Sequence, residues 1–334
     1  LPERLPGGCA VNACTLFELV GIHVAARTLH VVVADTGFSV LEERTLPLPF
    51  DHRADTTLDR AALMIVELIE GLGSTLTEIL GIGLGVPAPI DPATGMVSVP
   101  GILRGWEGVD IAGVLTQRLR RPVFVDNDAN LGALGEARYG AGRGYRDILY
   151  IAATYSVGAG IIIDDAIHHG IRGTAGEIGH SLIDPTGAIC FCGSRGCLDA
   201  VVGAQYVLDS LQVTHGPLSL TELIRLANEG DPGCSQVIED AGGITGTVIT
   251  NTAVAVSPAV IIVGGEMAET GELFISAIRN VVGRRIFLGG TEQLPILPSQ
   301  LGGLATIMGA LALASDRVTT AAAPTLLTNA DSFG

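Results

Sequence analysis

Three cysteines and a histidine lie close together in the segment GEIGHSLIDPTGAICFCGSRGC. They are His180, Cys190, Cys192 and Cys197. Three thiols and one imidazole form the Cys₃His set of a tetrahedral, closed zinc site. Because four protein ligands leave no position for water, we predict a zinc ion that braces the chain and does not catalyse. The alternative is that the cysteines are buried without a ligand and the histidine lies on the surface.

A carboxylate stands beside the predicted metal site, since Glu177 precedes His180 by three residues. An imidazole that binds a metal through one ring nitrogen has a defined tautomer, and its other nitrogen can bond a ligand hydroxyl. We therefore expect the structural metal to hold Glu177 and His180 for a small polyhydroxylated ligand.

The hexapeptide VDNDAN, residues 125–130, places Asn127 and Asp128 at the end of a predicted strand. An amide that donates beside a carboxylate that accepts suits adjacent sugar hydroxyl groups. The alternative is that Asp128 only caps a helix starting near Asn130. The hexapeptide by itself does not decide between them.

Hydrophobic patterning predicts the elements that position these residues. The strands are expected at Leu19–Val24, Thr28–Ala34, Ser39–Leu46, Ile79–Val86, Pro122–Val125, Asp147–Ala153, Gly160–Asp164 and Ala259–Val263. The helices are expected at Leu58–Leu72, Asp110–Arg120, Gln205–Leu211, Leu220–Asn228, Cys234–Ala255, Gly271–Val282 and Ala305–Ala314. This order predicts two α/β lobes, and a cleft between lobes is a common place for a small ligand.

The composition of the 334 residues narrows the partners. A formal charge of −16 disfavours contact with nucleic acid phosphates. The apolar stretches are too short to span a bilayer, the first residues do not form a signal peptide, and the cysteines do not form a disulfide framework. We expect a cytoplasmic protein that does not contact membranes.

Several motifs together resemble those of the ROK family, which contains repressors, open reading frames of unknown role and sugar kinases. They are GLGVPAPID (83–91), GWEGVDI (105–111), VDNDAN (125–130), GTAGEIGH (173–180), the CxCGxxGC run and IIVGGEM (261–267). The resemblance implies a two-lobed actin-like ATPase (ribonuclease H-like) fold with sugar bound in the cleft. It also implies sugar contacts by Asn127, Asp128, Glu177 and His180. Asp199, which stands where the family usually has Glu, is expected to contact the sugar as well, since its shorter carboxylate still accepts hydroxyl groups.

The resemblance also implies a division of the chain. Residues 19–127 and 309–318 would form the smaller lobe, and residues 128–308 the larger lobe, which holds the zinc site and dimerisation helices. Residues 1–18 resemble a linker from a DNA-binding helix-turn-helix head that the sequence lacks, and residues 319–334 a flexible tail. The expected assembly is a homodimer or homotetramer.

The two segments that would bind nucleotide phosphates depart from the kinase pattern. Kinases of this family typically have Asp-x-Gly-Gly-Thr after the first strand, where this chain has His23, Ala25, Ala26 and Arg27. His23 is a poor ligand for Mg²⁺, which prefers oxygen. In the second segment Tyr155 and Ser156 replace residues of a glycine-rich loop. We therefore expect neither ATP nor Mg²⁺ to be used, although Arg27 could itself attract phosphate.

These features favour the effector-binding and oligomerisation body of a sugar-responsive transcriptional regulator of the NagC/XylR type. Its effector would be a small sugar or sugar phosphate, and it would contact DNA only through the missing N-terminal domain. One alternative is an ATP-dependent hexose or amino-sugar kinase, in which Asp128 acts as general base. The other is a binding protein that has neither activity.

Overall fold

The computed structural model describes residues 18–284 and 294–322. Within these residues the strands form two five-stranded sheets. None of the helices in the described ranges is long and apolar enough to cross a membrane.

The first sheet belongs to the N-terminal lobe. Its strands are β1 (Glu18–Val24), β2 (Thr28–Asp35), β3 (Val40–Pro47), β4 (Ile79–Val86) and β5 (Val123–Asn127). The order across the sheet is β3-β2-β1-β4-β5; β1 to β3 are antiparallel, and β4 and β5 run parallel to β1. Helices α1 (Ala54–Gly71) and α2 (Ile111–Leu119) share one buried core with this sheet, which includes Ile22, Leu84 and Trp106.

The second sheet belongs to the other lobe and has the same arrangement of strands. Its strands are β6 (Ile148–Ala153), β7 (Val157–Ile163), β8 (Ala166–Ile167), β9 (Val260–Gly264) and β10 (Ile296–Pro298). The order is β10-β9-β6-β7-β8, again with three antiparallel strands followed by two that run parallel to the first of them. The α-helices described between β8 and β10 are α4 (Asp199–Val202), α5 (Ala204–His215), α6 (Leu220–Asn228), α7 (Pro232–Val256) and α8 (Glu272–Val282).

Two helices connect the sheets. Helix α3 (Asp128–Tyr139) packs against β6 and β7, and helix α9 (Ala305–Ala322) packs against β1 and β4. The two helices also pack against each other through glycines. A Cβ atom added at Gly309 would lie 1.8 Å from the carbonyl oxygen of Leu131, so only glycine permits this approach. The closely packed helix pair therefore joins the two lobes.

The substitution Gly309→Ala is expected to lower the free energy of unfolding by about 3 kcal/mol, because the added methyl group forces α3 and α9 apart. Gly243→Ala is the matched control, since Gly243 is also helical but has no atom within 4 Å of an added Cβ. The control should gain roughly 0.5 kcal/mol from helix propensity. Chemical denaturation measures both, and equal midpoints would contradict the argument.

The structure corrects several predicted boundaries in the first lobe. Helix α1 begins at Ala54, four residues before the predicted start, because Ala54 and Thr57 are buried against the core despite the weak helix propensity around them. Glu18 is the first residue of β1, so it does not belong to the predicted linker 1–18. Residues 1–17 lie outside the described part of the chain.

The C-terminal boundaries also differ. Strand β10 was not predicted, because three residues give no alternation to detect. Helix α9 continues to Ala322, so the predicted tail 319–334 is helical over its first four residues. The hydroxyl groups of Thr319 and Thr320 donate to carbonyls one turn earlier, which accommodates them in the helix. Residues 323–334 lie outside the described range, and the division into lobes at residue 309, which falls inside α9, stays a prediction.

Candidate functional site

A small cavity lies between the two lobes, and residues from distant segments line it. Its volume is about 50 Å³, room for roughly four water molecules at about 10–15 Å³ each. All five side chains predicted to contact a sugar line this cavity, which is called the inner cavity below. They are Asn127, Asp128, Glu177, His180 and Asp199. The structure brings these residues together; sugar binding by them stays a prediction.

Asn127 ends β5 and caps α3. Its Oδ1 accepts hydrogen bonds from the backbone N–H groups of Ala129 and Asn130, and its Nδ2 donates to the carbonyl of Ala88 at 3.2 Å. The helix begins at Asp128, so the alternative in which Asp128 caps a helix starting near Asn130 is wrong. One amide hydrogen of Asn127 is left for a ligand.

Asp128 is the first residue of α3, which places its carboxylate at a helix N-terminus. Its Oδ1 accepts the N–H of Ala129 at 2.8 Å, and its Oδ2 lies 3.7 Å from Nε2 of His23. The side chain keeps 20% of its surface exposed. Its carboxylate can therefore accept a hydrogen bond from a ligand hydroxyl in the cleft.

The half-buried Glu177 and the buried Asp199 supply two further carboxyl groups to the inner cavity. Burial, and then the charges of Asp128 and Asp199, raise the pKa of Glu177 to about 7. Burial raises the pKa of Asp199 to about 7 as well, although its Oδ1 accepts the N–H of Val157 at 2.8 Å. These neighbouring carboxyl groups accept few hydrogen bonds from the protein, and a ligand with several hydroxyl groups would donate more.

The four predicted metal ligands form one cluster. Nδ1 of His180 lies 3.7 Å from Sγ of Cys190, and Sγ of Cys192 lies 3.8 Å from Sγ of Cys197. All four ligand atoms lie within 4.8 Å of one another. A tetrahedron with metal–sulfur arms of about 2.3 Å has edges of about 3.8 Å, so the cluster could hold a tetrahedral ion.

The metal cluster and the inner cavity share His180. Its Nδ1 faces the cysteines, while its Nε2 lies 3.8 Å from Oε2 of Glu177 in the cavity wall. Burial raises the pKa of Cys190 to about 12, so without a cation this thiol stays protonated. A bound ion would stabilise the thiolate and hold the imidazole in the tautomer with hydrogen on Nε2.

A second cavity, called the outer cavity below, adjoins the inner one and has a volume of about 390 Å³. All six residues of the altered phosphate segments line it: His23, Ala25, Ala26, Arg27, Tyr155 and Ser156. Three carboxylates also line it, those of Asp128, Glu266 and Glu269. This arrangement brings together both segments that were predicted to have lost the kinase pattern.

Arg27 and Tyr155 are the bulky residues of the two altered segments, and both line this cavity. The guanidinium carbon of Arg27 lies 5.2 Å from the ring centroid of Phe50 and 5.8 Å from that of Tyr155. Arg27 therefore contacts both aromatic rings, as a cation does over the face of a ring. That these segments do not bind a nucleotide stays a prediction, and it depends most on the missing oxygen ligand for Mg²⁺ at His23.

His169 supports the strand end that bears Asn127. Its Nε2 lies 2.7 Å from Oδ2 of Asp126, whose Oδ1 accepts the backbone N–H of Asn127 and the side-chain amide of Asn130. The hydrogen bond to Asp126 raises the pKa of His169. The stabilisation from the charged imidazole of His169 is therefore fully present below the pKa of about 6.5 that histidine has in the unfolded chain. It is lost as the pH rises through the higher pKa of His169 in the folded protein.

The substitution His169→Gln is expected to destabilise the protein by about 1.5 kcal/mol at pH 6 and by less at pH 9, because only the charged imidazole makes the strong bond to Asp126. His168→Gln is the matched control, since the neighbouring His168 is exposed. Urea unfolding at both pH values measures the difference. A pH-independent effect of the His169 substitution would be the contradicting result.

Sequence reasoning missed several residues of the site. Phe191 lies between two cysteines of the cluster, lines the inner cavity and packs edge-on against His180 with ring centroids 5.3 Å apart. Its position in CxCG could have indicated this, because two ligands of one ion fix the residue between them. Ile102, which also lines the cavity, lies in a segment without a recognisable signal. Thr154 belongs to the second altered segment, which the kinase pattern links to phosphates and not to a sugar.

Comparisons with known proteins agree with the motifs. The model of the ROK family matches residues 19–317. A xylose repressor from Bacillus spizizenii is 30% identical over 87% of this chain and 75% of the repressor. A glucokinase from Halalkalibacterium halodurans is also 30% identical, over 78% of this chain and 83% of the glucokinase.

A solved structure confirms the predicted two-lobed actin-like fold. It is a ROK family glucokinase from Streptomyces griseus in complex with glucose and AMPPNP, with a TM-score of 0.78 and 27% identity over 90% of this chain and 99% of that one. The family therefore includes both repressors and sugar kinases that are similar to this chain. With its sheets, its motifs and the family match over residues 19–317 in agreement, this chain belongs to the ROK family.

Proposed function

We propose that this chain is the effector-binding and oligomerisation body of a sugar-responsive transcriptional regulator. One observation supports this most directly: the predicted sugar-binding side chains meet in one cavity, whereas His23 stands 3.7 Å from Asp128 in place of the kinase carboxylate. The chain keeps the groups that bind a sugar and lacks an oxygen ligand for Mg²⁺ at that position. The similarity to a xylose repressor supports the same function.

The metal is proposed to be zinc. Three sulfurs and one imidazole nitrogen at tetrahedral separations suit Zn²⁺, and four protein ligands leave no open position for catalysis. The ion would hold His180 and Phe191 in the wall of the inner cavity. The residues proposed to contact the sugar are Asn127, Asp128, Glu177, His180 and Asp199.

Sugar binding would favour one separation of the two lobes, because ligand contacts come from both sides of the cleft. Helices α3 and α9 connect the sheets, so a change in the cleft reaches both lobes through this pair. In a cytoplasmic homodimer or homotetramer, this change would alter the fit of DNA-binding domains to their half-sites. The acidic body leaves DNA contact to such separate domains.

The test is a titration of the full-length protein with pentoses, hexoses and amino sugars while its affinity for operator DNA is measured. At least one sugar should change that affinity tenfold or more. Asp128→Asn, which keeps the shape of the side chain but removes its charge, should weaken this response. Sugar binding without any change in operator affinity would contradict regulation.

A sugar kinase is the second candidate. Two observations favour it: the outer cavity is open, and the glucokinase relative is as similar to this chain as the repressor. Asp128 would then act as general base on a sugar hydroxyl. An ATP-consumption assay with hexoses and amino sugars separates the two functions, since a regulator consumes no ATP and a kinase releases sugar phosphate.

A further inference from the structure

The inner and outer cavities adjoin each other. Five residues line both of them: Pro87, Asp128, Ala152, Thr154 and Ser156. Asp128 therefore lies at the boundary between the two cavities. The volume of about 390 Å³ falls in the range of about 300–1,000 Å³ that is usual for small-molecule sites.

The charges in the outer cavity disfavour a phosphate. Asp128, Glu266 and Glu269 contribute three carboxylates. Arg27 is the one arginine among the residues that line this cavity, and a single positive charge does not offset three carboxylates. A neutral ligand meets no such repulsion.

The polar groups of the outer cavity suit a ligand rich in hydroxyl groups. Thr28, Thr45, Thr154, Ser156, Thr221 and Thr306 line it with hydroxyls. Two further atoms in its lining side chains, Nε2 of His23 and Oε2 of Glu266, are buried and have no hydrogen-bond partner within the described residues. Unpaired buried polar atoms are unfavourable, and ligand hydroxyl groups that reach them would relieve this.

From these observations we infer that the effector is a neutral disaccharide or glycoside, with one ring in the inner cavity and the second in the outer cavity. The inference rests on the proposed sugar-binding function and names its ligand class. The side chains predicted to contact a sugar would hold the first ring, and Asp128, which lines both cavities, would lie where the two rings join. The ring of Tyr155, which lines the outer cavity, offers an apolar surface for the C–H groups of the second ring.

The inference is tested by calorimetry on the zinc-loaded chain. The probes are D-xylose, D-glucose and N-acetyl-D-glucosamine, the β-1,4-linked dimer of each, and glucose 6-phosphate. We expect at least one dimer to bind tenfold or more tighter than its own monosaccharide. Monosaccharides that bind as tightly as their dimers, or a sugar phosphate that binds more tightly than either, would overturn the inference and leave the proposed regulator standing. Failure of every probe to bind would contradict both.

Two substitutions locate the second ring. Glu266→Gln and Tyr155→Ala should each lower the ratio of dimer affinity to monosaccharide affinity at least fivefold. Glu239→Gln is the matched control, because Glu239 is exposed on α7 and does not line either cavity. Thermal melting of each variant shows whether it is folded. A folded Glu266→Gln protein with an unchanged ratio would place the second ring elsewhere and refute the site.

Discussion

Replacing Cys197 by alanine is expected to prevent binding of the proposed zinc ion and to weaken binding of the proposed sugar effector by about 100-fold or more. Cys197 is 1% exposed, and its sulfur lies 3.8 Å from that of Cys192, so its loss leaves three ligands in a site built for four. His180 and Glu177 would then lose their fixed positions in the inner cavity. Two hydrogen bonds to charged groups are together worth about 3 kcal/mol or more, which corresponds to this factor.

Ile238→Ala is the matched control for this substitution. Ile238 is fully buried like Cys197, but it lies in α7 and carries no metal-ligating atom. Its replacement should lower stability without changing metal content or sugar affinity. Elemental analysis and calorimetry measure the two properties on the same samples. Wild-type sugar affinity in a metal-free Cys197→Ala protein would refute the proposed role of the ion.

The grouping of His180, Cys190, Cys192 and Cys197 was the most predictable part of the site. All four lie within one short segment, and metal–ligand bond lengths restrict how such side chains can be arranged. Their spacing in the sequence therefore suffices to predict that they cluster. The presence of two similar α/β lobes was also predictable, because the order of strands and helices repeats along the chain. Short elements such as β10 were not, since they depend on tertiary contacts.

The cavities could not be predicted from residue types. Tyr155 and Arg27 lie in loops, and their residue types do not say where their side chains go. In the structure Arg27 packs against the rings of Tyr155 and of Phe50, a residue in a turn, and both Arg27 and Tyr155 line a cavity of about 390 Å³. A volume depends on rotamers and on neighbours from both lobes, which no local motif specifies.

The role of Asn127 shows a similar limit. The hexapeptide VDNDAN correctly indicated a strand that leads into a helix, but not which side chain caps it. The structure assigns the cap to Asn127 because its Oδ1 accepts two backbone N–H groups, which leaves one oxygen of Asp128 directed at the cleft. Asn127 thus caps the helix, and the adjacent Asp128 remains available to a ligand.

Glu136 is a buried carboxylate that sequence patterning gave no reason to expect. It lies in α3 and is 0% exposed. Its two oxygens accept four hydrogen bonds, from the hydroxyl of Ser299 and the backbone N–H groups of Ala141, Gln300 and Leu301. The loop after β10 is therefore tied to the helix that begins at Asp128, and the next residues of this loop, Gly302 and Gly303, line the outer cavity.

The substitution Glu136→Gln is expected to lower the free energy of unfolding by about 3 kcal/mol. An amide nitrogen in place of Oε2 would face the N–H groups of Ala141 and Gln300, and one in place of Oε1 would face the N–H of Leu301, although the hydroxyl of Ser299 could turn to accept from it. In either orientation at least one buried N–H loses its acceptor and a buried charge is removed. Glu70→Gln on the exposed side of α1 is the matched control, with an expected change within about 0.5 kcal/mol. Urea denaturation compares the two variants at one pH.

The same substitution should also weaken the binding of a ligand that reaches the outer cavity, because the loop bearing Gly302 and Gly303 loses its anchor to α3. A ligand confined to the inner cavity is less affected, since none of the residues lining that cavity belongs to this loop. Calorimetry on the folded variant separates the two effects. An unfolding midpoint shared by Glu136→Gln and Glu70→Gln would show that the four hydrogen bonds do not hold the loop, and the coupling between α3 and the outer cavity would then have to be abandoned.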